Sequence, residues 1–299
     1  MENLPTDDVL HRFLLERAGV RGAFVRLGPA WREMAGRVDY PSSVRGLLGQ
    51  ALAASALMTA HIKLEGELSV QLKSDGPLRL LFAECSDQGR LRGIARWQPP
   101  VPATFALSTL PDAVMAITIG NLERGQRYQG LVELGTDDLA GVLQGYFEQS
   151  EQLPARLLLA ADDAHAVGLM LQRLPGTGGH DAVDDADAWP RVQQLTATLG
   201  TEELLHSAPH ELLYRLYHEE SVRLFEPRPL AFGCSCSRER VAAMLRSLGR
   251  AELEATLTEQ NGRIEVTCEF CAERYEFDRV DVEYLLRDVP GTALPGSSH

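Results

Sequence analysis

Four cysteines near the end of the chain constrain its fold more than any other feature of the sequence. Cys234 and Cys236 form a CxC pair, and Cys268 and Cys271 form a CxxC pair after the segment 237–267. Four thiolates suit the tetrahedral coordination that zinc accepts, and structural zinc sites are commonly built from two such close pairs. The spacing therefore predicts one structural Zn²⁺ site with these four ligands in a small C-terminal module.

Other interpretations of the cysteines stay open. Spacing alone would also allow iron, although iron–sulfur proteins usually show a different cysteine arrangement, and four buried cysteines without a metal are a further alternative. Arg238, Arg240 and Arg274 lie near the pairs in sequence and would either keep the thiolates deprotonated or belong to a solvated helix face. The fifth cysteine, Cys85, is expected to be a small buried hydrophobe.

A zinc ion at this site would dominate the stability of the module around it. Structural zinc supplies about 10–16 kcal/mol in zinc-finger peptides, whereas whole domains are stable by about 5–15 kcal/mol. We therefore expect the chain from about residue 231 onward to unfold when zinc leaves. An inert zinc ribbon would have the same four cysteines, so spacing alone does not establish a switch.

The N-terminus and the apolar segments predict where the protein works. Segment 1–13 carries acids where a secretory signal would carry bases. The apolar stretch 46–60 is interrupted by Gln50 and is too short to span a bilayer. We therefore expect a cytoplasmic protein with no membrane partner. Because cytosolic thiols are kept reduced, clustered cysteines there indicate metal binding or redox activity before structural disulfides.

Charge and motifs argue against several classes of function. The formal net charge of −13 argues against a nucleic-acid partner, because phosphate binding depends on clustered Lys and Arg. The two lysines, Lys63 and Lys73, do not follow a glycine, so the GxxxxGK[ST] phosphate loop is absent. Neither a GxSxG elbow nor a Ser/His/Asp order supports hydrolysis. We therefore expect a protein that is not an enzyme and does not bind ATP in such a loop.

Local patterns predict an α+β fold with a large N-terminal domain, in which covering helices pack on a mainly antiparallel sheet. Alternating apolar residues around the turn 74–77 predict a β-hairpin. Further segments with strand or helix patterns complete this domain. The predicted helices span 43–60 and 137–147, and the predicted strands span 68–73, 78–82, 91–97, 114–119 and 128–134.

The segment 175–190 is rich in glycine, acids and proline and predicts a domain boundary. We predict a core domain over 1–178, a helical linker over 179–230 and a zinc-binding module over 231–299. Two amphipathic helices are expected in the linker, over 201–205 and 207–218, each opened by a hydroxyl residue.

The two predicted linker helices contain many large apolar residues for a segment between two domains. They would either pack permanently on the core domain or dock on it reversibly. These apolar residues are Leu204, Leu205, Leu212, Leu213, Tyr214, Leu216 and Tyr217.

Several separate blocks, in the same order, resemble the redox-regulated 33-kilodalton heat-shock chaperone family (heat shock protein 33) over essentially the whole chain. The acidic segment 176–188 matches least well. The blocks are YPSSVRGLLGQALAASALM at 40–58, GELSVQLKSDGPLRLL at 66–81, YFEQSEQLPARL at 146–157, LYRLYHEE at 213–220, CSCSRERV at 234–241 and CEFCAERYEF at 268–277.

The resemblance implies a redox-regulated, ATP-independent chaperone of the holdase type. Its reduced, zinc-bound form would be largely inactive, and oxidation would release zinc and join Cys234 with Cys236 and Cys268 with Cys271 as disulfides. The segment 181–230 would then unfold and expose apolar surface that holds unfolded or partly unfolded client proteins. The active form would be a homodimer, with the core domain supplying client-binding and dimer contacts.

Two other classes of function compete with this interpretation. A static zinc-ribbon protein acting on nucleic acid or the translation machinery would share the cysteine pattern, but the acidic charge argues against it. A thiol oxidoreductase would place Cys268 near a helix N-terminus in a thioredoxin-like βαβ unit. The surrounding segment, 264–277, instead has the pattern of a β-rich knuckle.

Overall fold

The computed structural model describes residues 7–61, 66–121, 126–174 and 185–287. Contacts between Cα atoms divide the chain into a first unit that ends at Gly233 and a second unit that begins at Cys234. The division into core, linker and module at 178 and 230 stays a prediction, and part of the predicted boundary, 175–184, lies outside the described residues. Within the described part of the chain, no helix is both long and apolar enough to cross a membrane.

Sheet I forms one side of the first unit, and its strands pair antiparallel throughout. Its strands are β1 (Val9–Leu15), β2 (Val20–Leu27), β8 (Ala155–Ala161), β9 (Ala166–Arg173), β10 (Val222–Leu224) and β11 (Arg228–Pro229). The order is β10-β1-β2-β9-β8, and β11 also pairs with β1. Strand β9 is buried from Ala166 to Gln172, so sheet I is covered on both faces.

Sheet II forms the other side of the same unit. Its strands are β3 (Gly66–Lys73), β4 (Leu78–Ser86), β5 (Arg90–Trp97), β6 (Val114–Asn121), β7 (Gln126–Val132) and β12 (Ala231–Phe232). The order is β12-β5-β4-β3-β6-β7, with β12 parallel to β5 and the other pairings antiparallel. The predicted hairpin and the three further strands are confirmed, as is the mainly antiparallel α+β fold, although the strands form two sheets instead of one.

Helix α2 (Ser42–Met58) packs against strands of both sheets, which explains why it is apolar over most of its circumference. Glycines in the sheets allow this close approach. A Cβ atom at Gly168 of sheet I would lie 2.6 Å from Leu57 Cδ1, and one at Gly93 of sheet II would lie 3.0 Å from Leu52 Cδ2. Two further helices, α1 (Pro29–Ala35) and α3 (Leu139–Ser150), contribute buried residues to the same core.

The other face of sheet I is covered by α4 (Ala188–Ala197), α5 (Thr201–His206) and α6 (Pro209–Tyr217). We call α4 to α6 the linker helices and the sheet face beneath them the covered face. Strand residues of the covered face are Phe13, Leu15, Val20, Phe24, Ala160, Val167, Leu169 and Leu171. The linker-helix residues that pack in the same apolar cluster are Trp189, Val192, Leu204, Leu205, Leu212, Leu213, Leu216 and Tyr217.

The structure corrects two details predicted for these helices. Tyr214, which we expected in the docked apolar set, is 70% exposed because it lies on the outer side of α6. The predicted hydroxyl caps are wrong: the residues that precede α5 and α6 are Gly200 and Ala208, with no side-chain cap bond. Pro209 opens α6 instead, at a position where its missing N–H has no intrahelical partner to lose.

The second unit has a small core of its own. A hairpin of β13 (Arg263–Thr267) and β14 (Arg274–Asp278) packs with α7 (Arg238–Leu248), α8 (Arg250–Glu259) and α9 (Arg279–Arg287). The predicted β-rich knuckle is confirmed as this hairpin, whereas the three helices were not predicted. Its buried apolar residues are Ala242, Leu245, Leu253, Leu257, Ile264, Phe277, Val282 and Leu285. A core of this size supplies only about 3–5 kcal/mol.

Candidate metal centre

The four predicted ligands come from two short turns of the second unit. Cys234 and Cys236 lie just before α7, whose N-cap Ser237 accepts a hydrogen bond from the Arg240 backbone N–H. Cys268 and Cys271 lie in the turn between β13 and β14. That turn is closed by bonds from Cys268 N–H to the Glu273 carbonyl (2.8 Å) and from Ala272 N–H to the Cys268 carbonyl (2.8 Å).

The structure brings the four sulfurs together. All four Sγ atoms lie within 4.8 Å of one another. The separation is 3.6 Å between Cys234 and Cys268 and 3.3 Å between Cys236 and Cys271. A tetrahedral ion with zinc–sulfur bonds of about 2.3 Å would hold its ligands about 3.8 Å apart. The sulfur positions therefore fit a single tetrahedral metal ion.

The electrostatics of the cluster also fit a cation. Burial acts to raise the pKa of Cys236, but hydrogen bonds from the Tyr275 hydroxyl and the neighbouring thiols lower it to about 7. Burial raises the pKa of Cys234 and of Cys271, and the neighbouring thiols raise that of Cys271 further. One thiolate is thus favoured at the expense of the others because their charges repel. A divalent ion would remove that repulsion and allow all four cysteines to ionise.

The three arginines near the ligands make contacts of different kinds. Arg238 pairs with Asp281 at 2.8 Å and lies over the Phe277 ring, and Arg274 pairs with Glu265 at 3.6 Å. These two contacts favour the interpretation of Arg238 and Arg274 as solvated surface residues, although Arg238 lies on a helix, α7, and Arg274 on a strand, β14. The Arg240 guanidinium donates to the Ser235 carbonyl at 2.9 Å and so stabilises the backbone of the CxC turn.

Tyr275 is a site residue that sequence reasoning missed. Its hydroxyl donates to Cys236 Sγ at 3.1 Å. The available signal was alternation on β14, since Tyr275 and Phe277 face the same side of the hairpin and are less exposed than their neighbours. Partners of this kind orient metal ligands and tune their basicity.

We expect Tyr275→Phe to lower the affinity for zinc about tenfold, because replacing a hydrogen-bond partner of a ligand typically costs 10–100-fold. The measurement is competition between the reduced protein and a chromophoric chelator. Tyr284→Phe is the matched control, because Tyr284 is 68% exposed on α9. Equal affinities for the Tyr275→Phe and Tyr284→Phe variants would show that the hydroxyl plays no part in metal binding.

The fifth cysteine lies apart from this cluster. Cys85 is on β4 with no exposed surface, and its Sγ atom is 3.9 Å from Thr59 Oγ1. Burial raises the pKa of Cys85 to about 11, which leaves the thiol protonated and unreactive at neutral pH. The prediction that it is a small buried hydrophobe is confirmed.

Comparisons with known proteins agree over nearly the whole chain. The profile of the family described as Hsp33 protein matches residues 8–278. A protein of Nitrosococcus oceani named 33 kDa chaperonin is 46% identical to this chain, and the alignment covers 98% of this chain and 99% of that protein. A protein of Ectopseudomonas mendocina with the same name is 44% identical, with coverage of 98% of this chain and 100% of that protein. The crystal structure of a 33 kDa chaperonin from Thermotoga maritima has the same fold, with a TM-score of 0.80, 22% identity, and coverage of 94% of this chain and 98% of that one.

Proposed function

The chain belongs to the Hsp33 chaperone family, and from that premise we propose that it is a redox-regulated holdase that works without ATP. In the reduced state the thiolates of Cys234, Cys236, Cys268 and Cys271 hold one zinc ion, and the protein is inactive. The observation that carries this proposal is the placement of all four Sγ atoms within 4.8 Å of one another. Bound zinc would cross-link the turn before α7 to the β13–β14 turn and stabilise the second unit.

Oxidation acts on the ligands themselves. One thiolate attacks peroxide to give a sulfenic acid and hydroxide, and its partner thiolate then displaces a second hydroxide as the disulfide forms. Formation of each disulfide therefore passes two electrons from two thiolates to one molecule of hydrogen peroxide. The two hydroxides that result take up two protons and become two water molecules. Two disulfides remove all four ligands, so the second unit loses the stabilisation that its small apolar core cannot replace.

The pairing of the sulfurs decides whether oxidation loosens or fastens the second unit. Disulfides between Cys234 and Cys268 and between Cys236 and Cys271 would join the two turns and keep the unit folded. We propose the pairs Cys234–Cys236 and Cys268–Cys271, which leave the turns unlinked. Sulfur separations do not decide between these pairings, because all four atoms lie within 4.8 Å.

Peptide mapping separates the two pairings, because trypsin cleaves after Arg238 and Arg263 and so places the two cysteine pairs on different peptides. We expect mass spectrometry of the peroxide-treated protein to find each pair oxidised within its own peptide, two mass units lighter than when reduced. Cys85 should stay a free thiol and serves as the internal control. A disulfide-linked pair of peptides as the main product would contradict the proposed pairing.

The linker helices supply the step from zinc loss to chaperone activity. Helices α5 and α6, at six and nine residues, are too short to be stable alone and depend on packing against the covered face. The chain from α6 to Cys234 runs through β10, β11 and β12, which are two or three residues long. Elements with so few hydrogen bonds open at low free energy. Unfolding of the second unit frees the C-terminal end of this segment and favours undocking of the linker helices.

Undocking exposes an apolar sheet face and apolar helix faces at the same time. Non-native proteins expose apolar surface as well, and burial of that surface contributes about 25 cal/mol per Å² before ordering costs. Client binding of this kind needs little shape specificity and no nucleotide. The proposal includes a homodimer in the oxidised state, a cytoplasmic location and no nucleic-acid partner, the last supported by the net charge of −13.

The test is suppression of aggregation of a chemically unfolded protein, measured with the reduced protein and after peroxide with mild heat. Zinc release is followed in parallel with a chromophoric chelator. We expect suppression only after oxidation, in step with the loss of one zinc per chain. Activity that does not depend on oxidation would reject the switch, and salt-sensitive binding of RNA or DNA would favour the zinc-ribbon alternative.

A further inference from the structure

Two pairs of histidine rings meet where the linker helices contact sheet I. His11 of β1 lies edge-on to His210 of α6, with ring centroids 5.5 Å apart. His165, just before β9, lies edge-on to His206 of α5, with centroids 6.3 Å apart. In each pair one ring belongs to the core of the first unit and the other to a linker helix.

The first pair is set in an apolar surrounding. His11 is only 3% exposed, and no described residue hydrogen-bonds its Nε2 atom. Its cross-strand partner on β2 is Phe24, and the nearest charged position on that strand is Arg26. The group on α6 that acts on it electrostatically is His210. No carboxylate of the described residues acts on His11 electrostatically, so a proton on it would be a buried charge with nothing to balance it.

The second pair is tied to the linker through Arg26. The Arg26 guanidinium donates to His165 Nε2 at 3.3 Å and to the Ser207 carbonyl, between α5 and α6, at 3.1 Å. An acceptor nitrogen cannot carry a proton, so this arrangement requires a neutral His165.

Carboxylates and a second arginine also surround the second pair. Asp7 lies 3.9 Å from His165, while Asp162 lies 3.7 Å and Glu202 3.6 Å from His206. Burial and the neighbouring Arg26 lower the pKa of His165. Asp7 and Asp162 act to raise this pKa, and Arg32 acts to lower it. Because these charges partly offset one another, we expect docking to depend more on protonation of His11 than on protonation of His165.

We propose that the protein carries a second trigger, in which protonation of His11 and His165, the sheet-side members of the two pairs, undocks α5 and α6 while the four cysteines stay reduced. Mild acid would then expose the covered face without oxidation. Binding of client proteins by the exposed face rests on the proposed function. Undocking of α5 and α6 by protonation does not depend on it.

The direction of the effect follows from linkage. Burial, and then the neighbouring His210, lower the pKa of His11 to about 4, whereas an exposed histidine titrates near 6.5. The undocked state therefore binds more protons between these two values. Docking is at full strength above about pH 6.5 and weakens as the pH falls towards 4. At about pH 5.5, His11 alone shifts the docking equilibrium about tenfold.

Hydrogen exchange of the reduced, zinc-loaded full chain tests this trigger. Protection of amides in 204–217, corrected for intrinsic exchange, is compared at about pH 7.5 and about pH 5.5, while a chromophoric chelator reports any zinc release. We expect the wild-type protein to lose protection about tenfold with zinc retained. His11→Phe should lose much less, because it lacks the ring that takes up the proton, and His218→Gln, at an exposed residue, should behave as the wild type.

His11→Gln keeps the test decisive if His11→Phe does not dock at neutral pH, because glutamine is polar, similar in size and carries no titrating group. The proposal is overturned if protection in the wild type does not change with pH. It is also overturned if the His11 variant that docks at neutral pH loses as much protection as the wild type, or if protection is lost only in step with zinc. None of these outcomes bears on whether oxidation activates the protein, so the failure of this trigger and the failure of the proposed function are distinguishable.

Discussion

Replacement of Cys271 by serine is expected to abolish zinc binding and to unfold the second unit. The metal would contribute about 10–16 kcal/mol, whereas an apolar core as small as the one around Leu253 and Phe277 supplies about 3–5 kcal/mol. A serine hydroxyl is a poor replacement for a thiolate ligand. We expect the metal content to fall from one zinc per chain to none, and the amides of β13 and β14 to exchange as in an unfolded chain.

Cys85→Ala is the matched control for this substitution. It also removes one thiol, but from a fully buried position on β4 that lies outside the cluster. The variant should keep one zinc per chain and protected amides in β13 and β14. A Cys271→Ser protein that retained a folded second unit would contradict the view that the metal, and not the apolar core, stabilises this unit.

Replacement of Tyr217 by alanine is expected to undock the linker helices while zinc stays bound. Tyr217 has no exposed surface, its ring stacks on Phe13 at 6.3 Å, and its hydroxyl pairs with Thr196 Oγ1 at 2.7 Å. Truncating a buried aromatic residue to alanine costs about 3–5 kcal/mol, which corresponds to a hundredfold or larger shift of the docking equilibrium. We therefore expect the reduced, zinc-bound variant to suppress aggregation without peroxide.

Tyr214→Ala is the control on the same helix. Tyr214 is 70% exposed, so its truncation should leave docking and the need for oxidation unchanged. Limited proteolysis within 201–217 reports undocking independently of chaperone activity. If Tyr217→Ala shows rapid cleavage of this segment but no suppression of aggregation, the covered face is not the surface that holds clients.

The parts of the fold that the sequence predicts are those with local signals. The alternation of Leu68, Val70 and Leu72 and the turn at 74–77 identify the β3–β4 hairpin without reference to the rest of the chain. Apolar residues over most of the circumference of α2 mark a buried helix, since strands of two sheets pack on it.

Sheet I was not predicted, because its strands lack a pattern that can be recognised in the local sequence and pair with strands far away in the chain. Strand β9 is buried on both faces and lacks the alternation that marks a strand with one exposed face. Its partner β2 is far away in the sequence, with Val20 opposite Arg173. Strands β10 to β12 are defined only by their partners, because two or three residues carry no periodicity.

The sequence identified the four cysteines that cluster at the candidate site, but not the residues that surround them. The CxC and CxxC spacing identifies the four cysteines that the structure brings together, because ligand pairs in turns are a property of the local sequence. Tyr275 was missed because its contact with Cys236 depends on how β14 packs beside the turn before α7. The histidine pairs were missed for the same reason, since His11 and His210 are neighbours only when α6 docks on β1.

If zinc occupancy controls docking of the linker helices, hydrogen exchange of the intact protein will follow the metal. Amides in 204–217 are followed in the reduced zinc-bound protein, after peroxide has released zinc, and after a thiol and zinc have been added back. We expect strong protection in the first state, loss of protection in the second and recovery in the third. Protection in 204–217 that stays unchanged after zinc has left would contradict control of docking by zinc.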